Sequence, residues 1–207
     1  MAAYPPNKIA NTYNRYAPQY DVMADENHWT GPDHVARVVS RITREKKDPG
    51  PILDVGGGTG LTAGLLKHNH PDTHVTIIDL SEEMLMVARD KQRTDFIVQG
   101  NANHLPFEDE SFGVTVATGL LNYVDKTEAQ SIINEMTRVT WRGGLVAFTC
   151  ITTRNGWVPP YIAQVMHDER DLLKPLDPHW VLCNQQAVMR VKNGQEINET
   201  VFAALVR

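Results

Sequence analysis

The sequence predicts an α/β fold. The expected architecture is a mainly parallel sheet of seven strands with helices on both faces, a C-terminal antiparallel hairpin and a small N-terminal helical lid. Three observations carry this. Short apolar runs alternate with segments of helical periodicity from Ile52 to Ile151, the first run stops at a cluster of glycines, and two strand-like runs near the C-terminus flank Asn193-Gly194. Parallel strands need a long crossover, usually a helix, so the alternation implies a parallel sheet covered on both faces. Asn-Gly between two apolar runs is a hairpin signal.

Each element has its own warrant. Ile52-Leu53-Asp54-Val55 reads as a strand that ends at Gly56-Gly57-Gly58-Thr59-Gly60, and Leu61, Leu65 and Leu66 then recur at helical spacing. Val75 to Asp79 is β-branched and reads as the second strand. Ser81 supplies an N-cap, and Glu82 and Glu83 supply first-turn acids, for a helix bearing Met84, Leu85, Val87 and Ala88. Phe96 to Val98 is the third strand, Gly113 to Thr118 the fourth and Leu145 to Ile151 the fifth. Glu128 to Val139 is a helix with Ile132, Ile133, Met136 and Val139 on one face. Beyond Ile151 a Pro-broken, helical segment runs to about Pro178, and Ala187 to Lys192 and Thr200 to Val206 form the hairpin. A length of 207 residues suits one domain. Residues 1–50 are expected to form the lid and 51–207 the α/β core, with 152–178 a second candidate lid segment.

Composition removes several function classes. Twenty Lys and Arg against 25 Asp and Glu leave a net charge of −5, and no basic run is long enough to track a phosphate backbone. The densest basic patch, Arg41 to Lys47, reads as a solvated helix end. Val158-Pro159-Pro160-Tyr161 is like the Asn-Pro-Pro-Tyr motif of nucleic-acid amino-methyltransferases, but it lacks the Asn and follows strand five. No nucleic-acid partner is expected. Apolar runs of 18 residues are absent, and Pro5, Pro6, Asn7 and Lys8 stand where a signal peptide needs an apolar stretch. The expectation is a cytoplasmic protein with no membrane partner. Cys150 and Cys183 lack CxxC spacing and read as buried thiols. His68, His70 and His74 have no carboxylate at ligand spacing, so no metal site is expected.

Ligands of open α/β sheets sit beyond the carboxyl ends of the strands, which puts the glycine loop at a binding surface. Glycines there permit positive φ and close approach, and the following helix offers free N–H groups. Asp79, 19 residues after Gly60 at the end of the second strand, can accept hydrogen bonds from both hydroxyls of a ribose. Neither a complete Gly-x-Gly-x-x-Gly nor a Gly-Lys-Ser/Thr is present, which argues against a dinucleotide and a Walker-type phosphate site. The acid Asp54 at the end of strand one would repel a pyrophosphate and suits a ligand carrying an ammonium or sulfonium.

These residues resemble a known family. Ile52 to Gly60 is similar to the first motif of the class I S-adenosylmethionine-dependent methyltransferases, and Asp79-Leu80-Ser81-Glu82-Glu83-Met84-Leu85 to their second. Gly100 to Phe107 with Glu108 to Phe112 is similar to their third region, and Arg138 to Gly144 to the turn before strand five. Tyr13 to Asp21 is like the N-terminal helix that closes over the cofactor. The resemblance covers roughly residues 10 to 150 and implies a Rossmann-like fold that binds S-adenosylmethionine. It implies a cofactor loop of Gly56, Gly57, Gly58 and Gly60, with Asp79 on the ribose and Leu80 and Met84 against adenine. Asn101 and Ala102 would meet the adenine edge, Thr118 and Gly119 would lie near the sulfonium, and Tyr13 and Tyr20 would cover the cofactor. Tyr16, at helical spacing from both, is expected to pack in the core. The chain departs from the family pattern at Asn101, where Asp is usual, and at Gly113, which replaces a common Asp. It departs again at Asn122, where many small-molecule members have His, and at Thr140-Trp141-Arg142.

Methyl transfer from a sulfonium is an in-line displacement, so alignment and water exclusion come first and a base is optional. If a proton must be removed, His28 and His167 lie in the two candidate lid segments, and Asn122 is the third candidate catalytic residue. The short lid material favours a small-molecule acceptor; oligomeric state is not legible. Two readings stay open: methyl transfer to O, N or C of a small metabolite, or non-methyl chemistry at the same site. The second comprises intramolecular attack on the aminobutyryl group with release of methylthioadenosine, or a cyclisation with the cofactor as spectator. Asn122 in place of His keeps it open.

Overall fold

The computed structural model describes residues 5–44, 48–151, 185–190 and 196–206. The described elements run α1 (Pro6–Tyr16), α2 (Tyr20–Glu26), α3 (Gly31–Thr43), β1 (Ile52–Val55), α4 (Leu61–Asn69), β2 (Val75–Asp79) and α5 (Glu82–Asp90). They continue with β3 (Phe96–Gln99), β4 (Phe112–Ala117), α6 (Lys126–Val139), β5 (Thr140–Cys150), β6 (Gln185–Arg190) and β7 (Glu196–Leu205). These strands form one seven-stranded sheet in the order β3-β2-β1-β4-β5-β7-β6. Neighbours among β1 to β5 pair in parallel, whereas β7 pairs antiparallel with both β5 and β6. The order reverses between β1 and β4, and the crevice at that switch is the expected ligand position.

Two apolar layers cover the sheet. Ile132, Ile133, Met136 and Val139 of α6 meet Leu53, Val55, Val146 and Phe148 on one face. Val35, Val38 and Val39 of α3, Ala63 and Leu66 of α4, and Leu85 and Ala88 of α5 meet Ile52, Val114, Val116 and Leu145 on the other. Alternate strand residues serve opposite faces, which is why the buried strands read as unbroken apolar runs. Helix starts are fixed locally. Ser81 Oγ accepts from Met84 N, and Asp125 and Glu128 form a reciprocal capping box on α6.

Several expectations need adjustment. Residues 1–50 are not a lid throughout, because α3 is buried in the second layer; among the described residues of this stretch, α1, α2 and the turn after α2 line the cavity. Tyr16 is 40% exposed rather than in the core, since α1 contributes no buried residue. Of the turn expected at Arg138 to Gly144, Arg138 and Val139 end α6 and Thr140 to Gly144 begin β5, which follows directly and shifts register against β4 between Phe112 and Val114. Strand β7 begins at Glu196, not Thr200. Cys150 is buried. Cys183, His167, residues 152–178 and the Val158 to Tyr161 segment lie outside the described residues. Gly113 has a steric reason: a Cβ there would stand 1.8 Å from the carbonyl oxygen of Pro49.

Candidate functional site

A cavity of about 300 Å³ opens along the carboxyl ends of β1, β2 and β4 and reaches β7. At its centre the loop after β1 turns through positive φ at Gly56, Gly58 and Gly60. Close packing restricts the loop: a Cβ at Gly57 would lie 2.8 Å from the Asp54 carboxylate, and one at Gly56 would lie 2.9 Å from Leu120. Asp79 fixes it from the side. Gly58 N donates to Asp79 Oδ2 at 2.9 Å and Ser81 N to Oδ1 at 2.8 Å, and Leu80 N adds a third backbone donor to the same carboxylate. Burial raises the Asp79 carboxyl above the usual range, against the pull of these backbone donors.

Two buried acceptors in the cavity wall have no protein partner. Asp54 Oδ2 accepts from Ala63 N at 3.1 Å, but its Oδ1 is unpaired, and burial pushes this carboxyl up to about 8. Asn103 Oδ1 is likewise unpaired. A buried acceptor without a donor costs about 1–3 kcal/mol, so both positions favour a ligand that brings N–H groups. An aminobutyryl ammonium at Asp54 and an exocyclic adenine amine at Asn103 answer that requirement. The residue signalled by sequence, Asn101, lines the cavity with Ala102, but its Oδ1 already accepts from Asn103 N at 2.9 Å. Leu80 and Met84 complete that wall, and Thr118 accepts from Thr62 at 2.9 Å on the opposite one. Gly119 adopts positive φ, and its N–H reaches Thr149 Oγ1 at 2.8 Å.

The cover comes from α1, α2 and the turn after them. Tyr13 stacks edge-on to Tyr123 with centroids 5.7 Å apart, lies 6.0 Å from Tyr20, and Tyr20 meets Trp29 at 6.5 Å. Burial raises both the Tyr13 and Tyr20 phenols. Asp21 clamps α2 to the body: Thr59 Oγ1 donates to it at 2.6 Å, Arg93 pairs with it at 2.7 Å, and Lys91 completes the contact. Burial acts to raise this carboxyl, but its partners outweigh burial and hold it below the usual range.

His28 is not brought to the cavity. Its N–H bonds to Asp25 O and that of Trp29 to Ala24 O, with His28 at φ 50°, which is a Schellman stop for α2. That turn leaves the imidazole exposed and delivers Trp29 to the cavity wall instead. Asn122 does line the cavity and is buried, but both ends of its amide are used. Its Oδ1 accepts from Ile151 N at 2.8 Å, and its Nδ2 donates to Glu199 Oε1 at 3.0 Å.

Glu199, Trp29 and Tyr123 were not anticipated from sequence. Since β7 runs antiparallel to β5, its beginning lies at the ligand edge, and this carries Glu199, 2% exposed, into the cavity wall. Alternation from Val201 and Ala203 back to Glu199 was the available signal; a strand begun at Thr200 hides it. Burial raises the Glu199 carboxyl, opposed by donors on Trp29, Asn122 and Thr149.

Comparison with known proteins agrees with this geometry. A methyltransferase-domain family model matches residues 53–148. The chain is 38% identical over 148 residues to the ubiquinone/menaquinone biosynthesis C-methyltransferase UbiE of Vibrio parahaemolyticus, an alignment covering 66% of this chain and 54% of that protein. The same enzyme of Cupriavidus pinatubonensis is 36% identical over 146 residues, covering 67% and 58%. The chain thus spans about half the length of the curated relatives it matches. In fold it is similar to magnesium protoporphyrin IX methyltransferase of Synechocystis with bound S-adenosylmethionine, with a TM-score of 0.72, 16% identity and 100% of each chain covered. A methyltransferase of Methanosarcina mazei gives 0.63 at 21% identity over 78% and 93%. The motifs, sheet order and cavity thus agree with the methyltransferase-domain family that residues 53–148 match.

Proposed function

We propose that the chain transfers the methyl group of S-adenosylmethionine to oxygen, nitrogen or carbon of a small metabolite in the cytoplasm, without a nucleic-acid partner. The observation that carries this reading is the pair Asp54 and Asp79 across the glycine loop, each with free acceptor capacity, in a cavity that continues past Gly119 to Trp29 and Glu199. When bound, the cofactor supplies an electrophilic methyl group on a cationic sulfur. Asp79 holds the ribose, Asp54 the ammonium, Asn103 the adenine amine, and Leu80 and Met84 the adenine faces. Tyr13 and Tyr20 exclude water and offer aromatic faces to positive charge. Asn122 positions Glu199. The cover is assigned to α1 and α2, with residues 152–178 a second candidate. Among the described residues no helix is long and apolar enough to cross a membrane.

The test is product analysis. Protein incubated with S-adenosylmethionine and a panel of small acceptors yields S-adenosylhomocysteine and a methylated acceptor, identified by mass spectrometry. Methylthioadenosine formed without any acceptor would instead establish intramolecular cyclisation.

Asp54 also makes the cofactor-free protein sensitive to pH. Its carboxyl titrates near 8 in the native state and near 4 when unfolded, so between these values the unfolded chain binds fewer protons. Native stability therefore falls as pH rises through this window. Urea melts at pH 5 and pH 8 should show wild type losing up to about 4 kcal/mol relative to Asp54→Asn, the limit set by 1.4 kcal/mol per pH unit. Parallel profiles would mean that Asp54 is already ionised in the native protein.

A further inference from the structure

Among the described residues lining the cavity, acids are present and Lys, Arg and His are not. Asp54 and Asp79 flank the glycine loop, and Glu128 is engaged in the capping box of α6. Glu199 is left over. It stands on β7, four strands along the sheet from β2 and Asp79, and lines the same cavity. Its surroundings consist of donors. Trp29 Nε1 reaches Oε2 at 3.2 Å, Asn122 Nδ2 reaches Oε1 at 3.0 Å, and Thr149 bonds to the same carboxylate. The start of α3 also approaches, since a Cβ on Gly31 would lie 3.0 Å from Oε2. Three donors and a helix N-terminus suit an ionised, acceptor-only group and leave one of about four lone-pair sites for a ligand. Trp29 lies edge-on to Tyr20, and both rings line the cavity together with Glu199.

We propose that Glu199 marks the acceptor end of the cavity and that the methyl acceptor is an amine, gripped as its ammonium by this carboxylate and the rings of Trp29 and Tyr20. This rests on the methyltransferase reading above. Carboxylate and aromatic faces together select cationic nitrogen, and an anionic acceptor would meet only like charge. Glu199 takes one N–H proton from the ammonium and frees the nitrogen lone pair. The N–C bond then forms as the C–S bond breaks, and the electron pair of the broken bond stays on sulfur. The products are the methylated ammonium and a neutral thioether, and Glu199 afterwards returns its proton to solvent.

Calorimetry on the full chain saturated with S-adenosylhomocysteine tests this with phenethylamine and 3-phenylpropionate, probes of like size and opposite charge. Wild type should bind the amine at least about tenfold more tightly than the acid. Glu199→Gln should abolish that preference, Glu199→Asp should keep it at weaker affinity, and Glu128→Gln should leave it intact. Equal binding of the two probes, binding of neither, or a preference that survives in Glu199→Gln overturns the proposal. Affinity for S-adenosylhomocysteine is measured first on every variant. Its absence in wild type would overturn the cofactor reading, whereas its loss only in Glu199→Gln would mark misfolding and leave Glu199→Asp to decide: an amine preference lost there overturns the proposal.

Discussion

Asp79→Ala raises the dissociation constant for S-adenosylhomocysteine by about a hundredfold or more, measured by calorimetry. Two effects add. The variant loses a carboxylate that can accept from both ribose hydroxyls, and charge-assisted hydrogen bonds contribute about 1.5–3 kcal/mol each. It also releases Gly58 N and Ser81 N, two of the donors by which Asp79 holds the glycine loop and the start of α5 in register. Asp79→Asn should lose nearly as much, because its NH₂ group must face one of those two N–H donors. A change below about threefold in Asp79→Ala, smaller than a single neutral hydrogen bond would produce, would remove Asp79 from the ribose site.

Gly113→Ala should be the most damaging single methyl group among the described glycines. The added Cβ would stand 1.8 Å from Pro49 O and 2.8 Å from Pro49 C, both backbone atoms with no side-chain freedom to yield. Gly113 N is itself tied to Pro51 O at 2.9 Å, so the strand cannot retreat without losing that bond and disturbing the β1–β4 pairing. Overpacking commonly costs about 1–3 kcal/mol, and a backbone-to-backbone overlap lies at or beyond the upper end. The expected result is a urea midpoint lowered by at least that equivalent, or insoluble expression. Unchanged stability would mean that the approach of Pro49 to β4 is looser than described.

Much of the fold was legible because local signals and tertiary pairing agree. The limits of β1 and β2 match the apolar runs, and Ser81 caps α5 as its residue type implies. Legibility failed where pairing at a distance decides. Thr140 to Gly144 carries two glycines and reads as a turn, yet β5 begins at Thr140 because that residue pairs with Phe112. Glu196 to Glu199 reads as polar hairpin material, yet pairing with β6 extends β7 through it. The cavity wall around the glycine loop and Asp79 was legible because its residues lie in contiguous motifs. The other half, Trp29, Tyr123 and Glu199, comes from segments far apart in the chain, and the antiparallel course of β7 brings Glu199 to that wall. His28 misled because a histidine in a helix-stopping position has the same signature as a free base.

The clamp at Asp21 ties the doorway to the floor of the room. Thr59, in the glycine loop, and the two cations beyond α5 hold the same carboxylate that seats α2. Partly solvated ion pairs of this kind contribute only about 0–1 kcal/mol each. So weak a latch yields to thermal motion, and because Thr59 shares it, any shift of α2 is felt at once by the glycine loop.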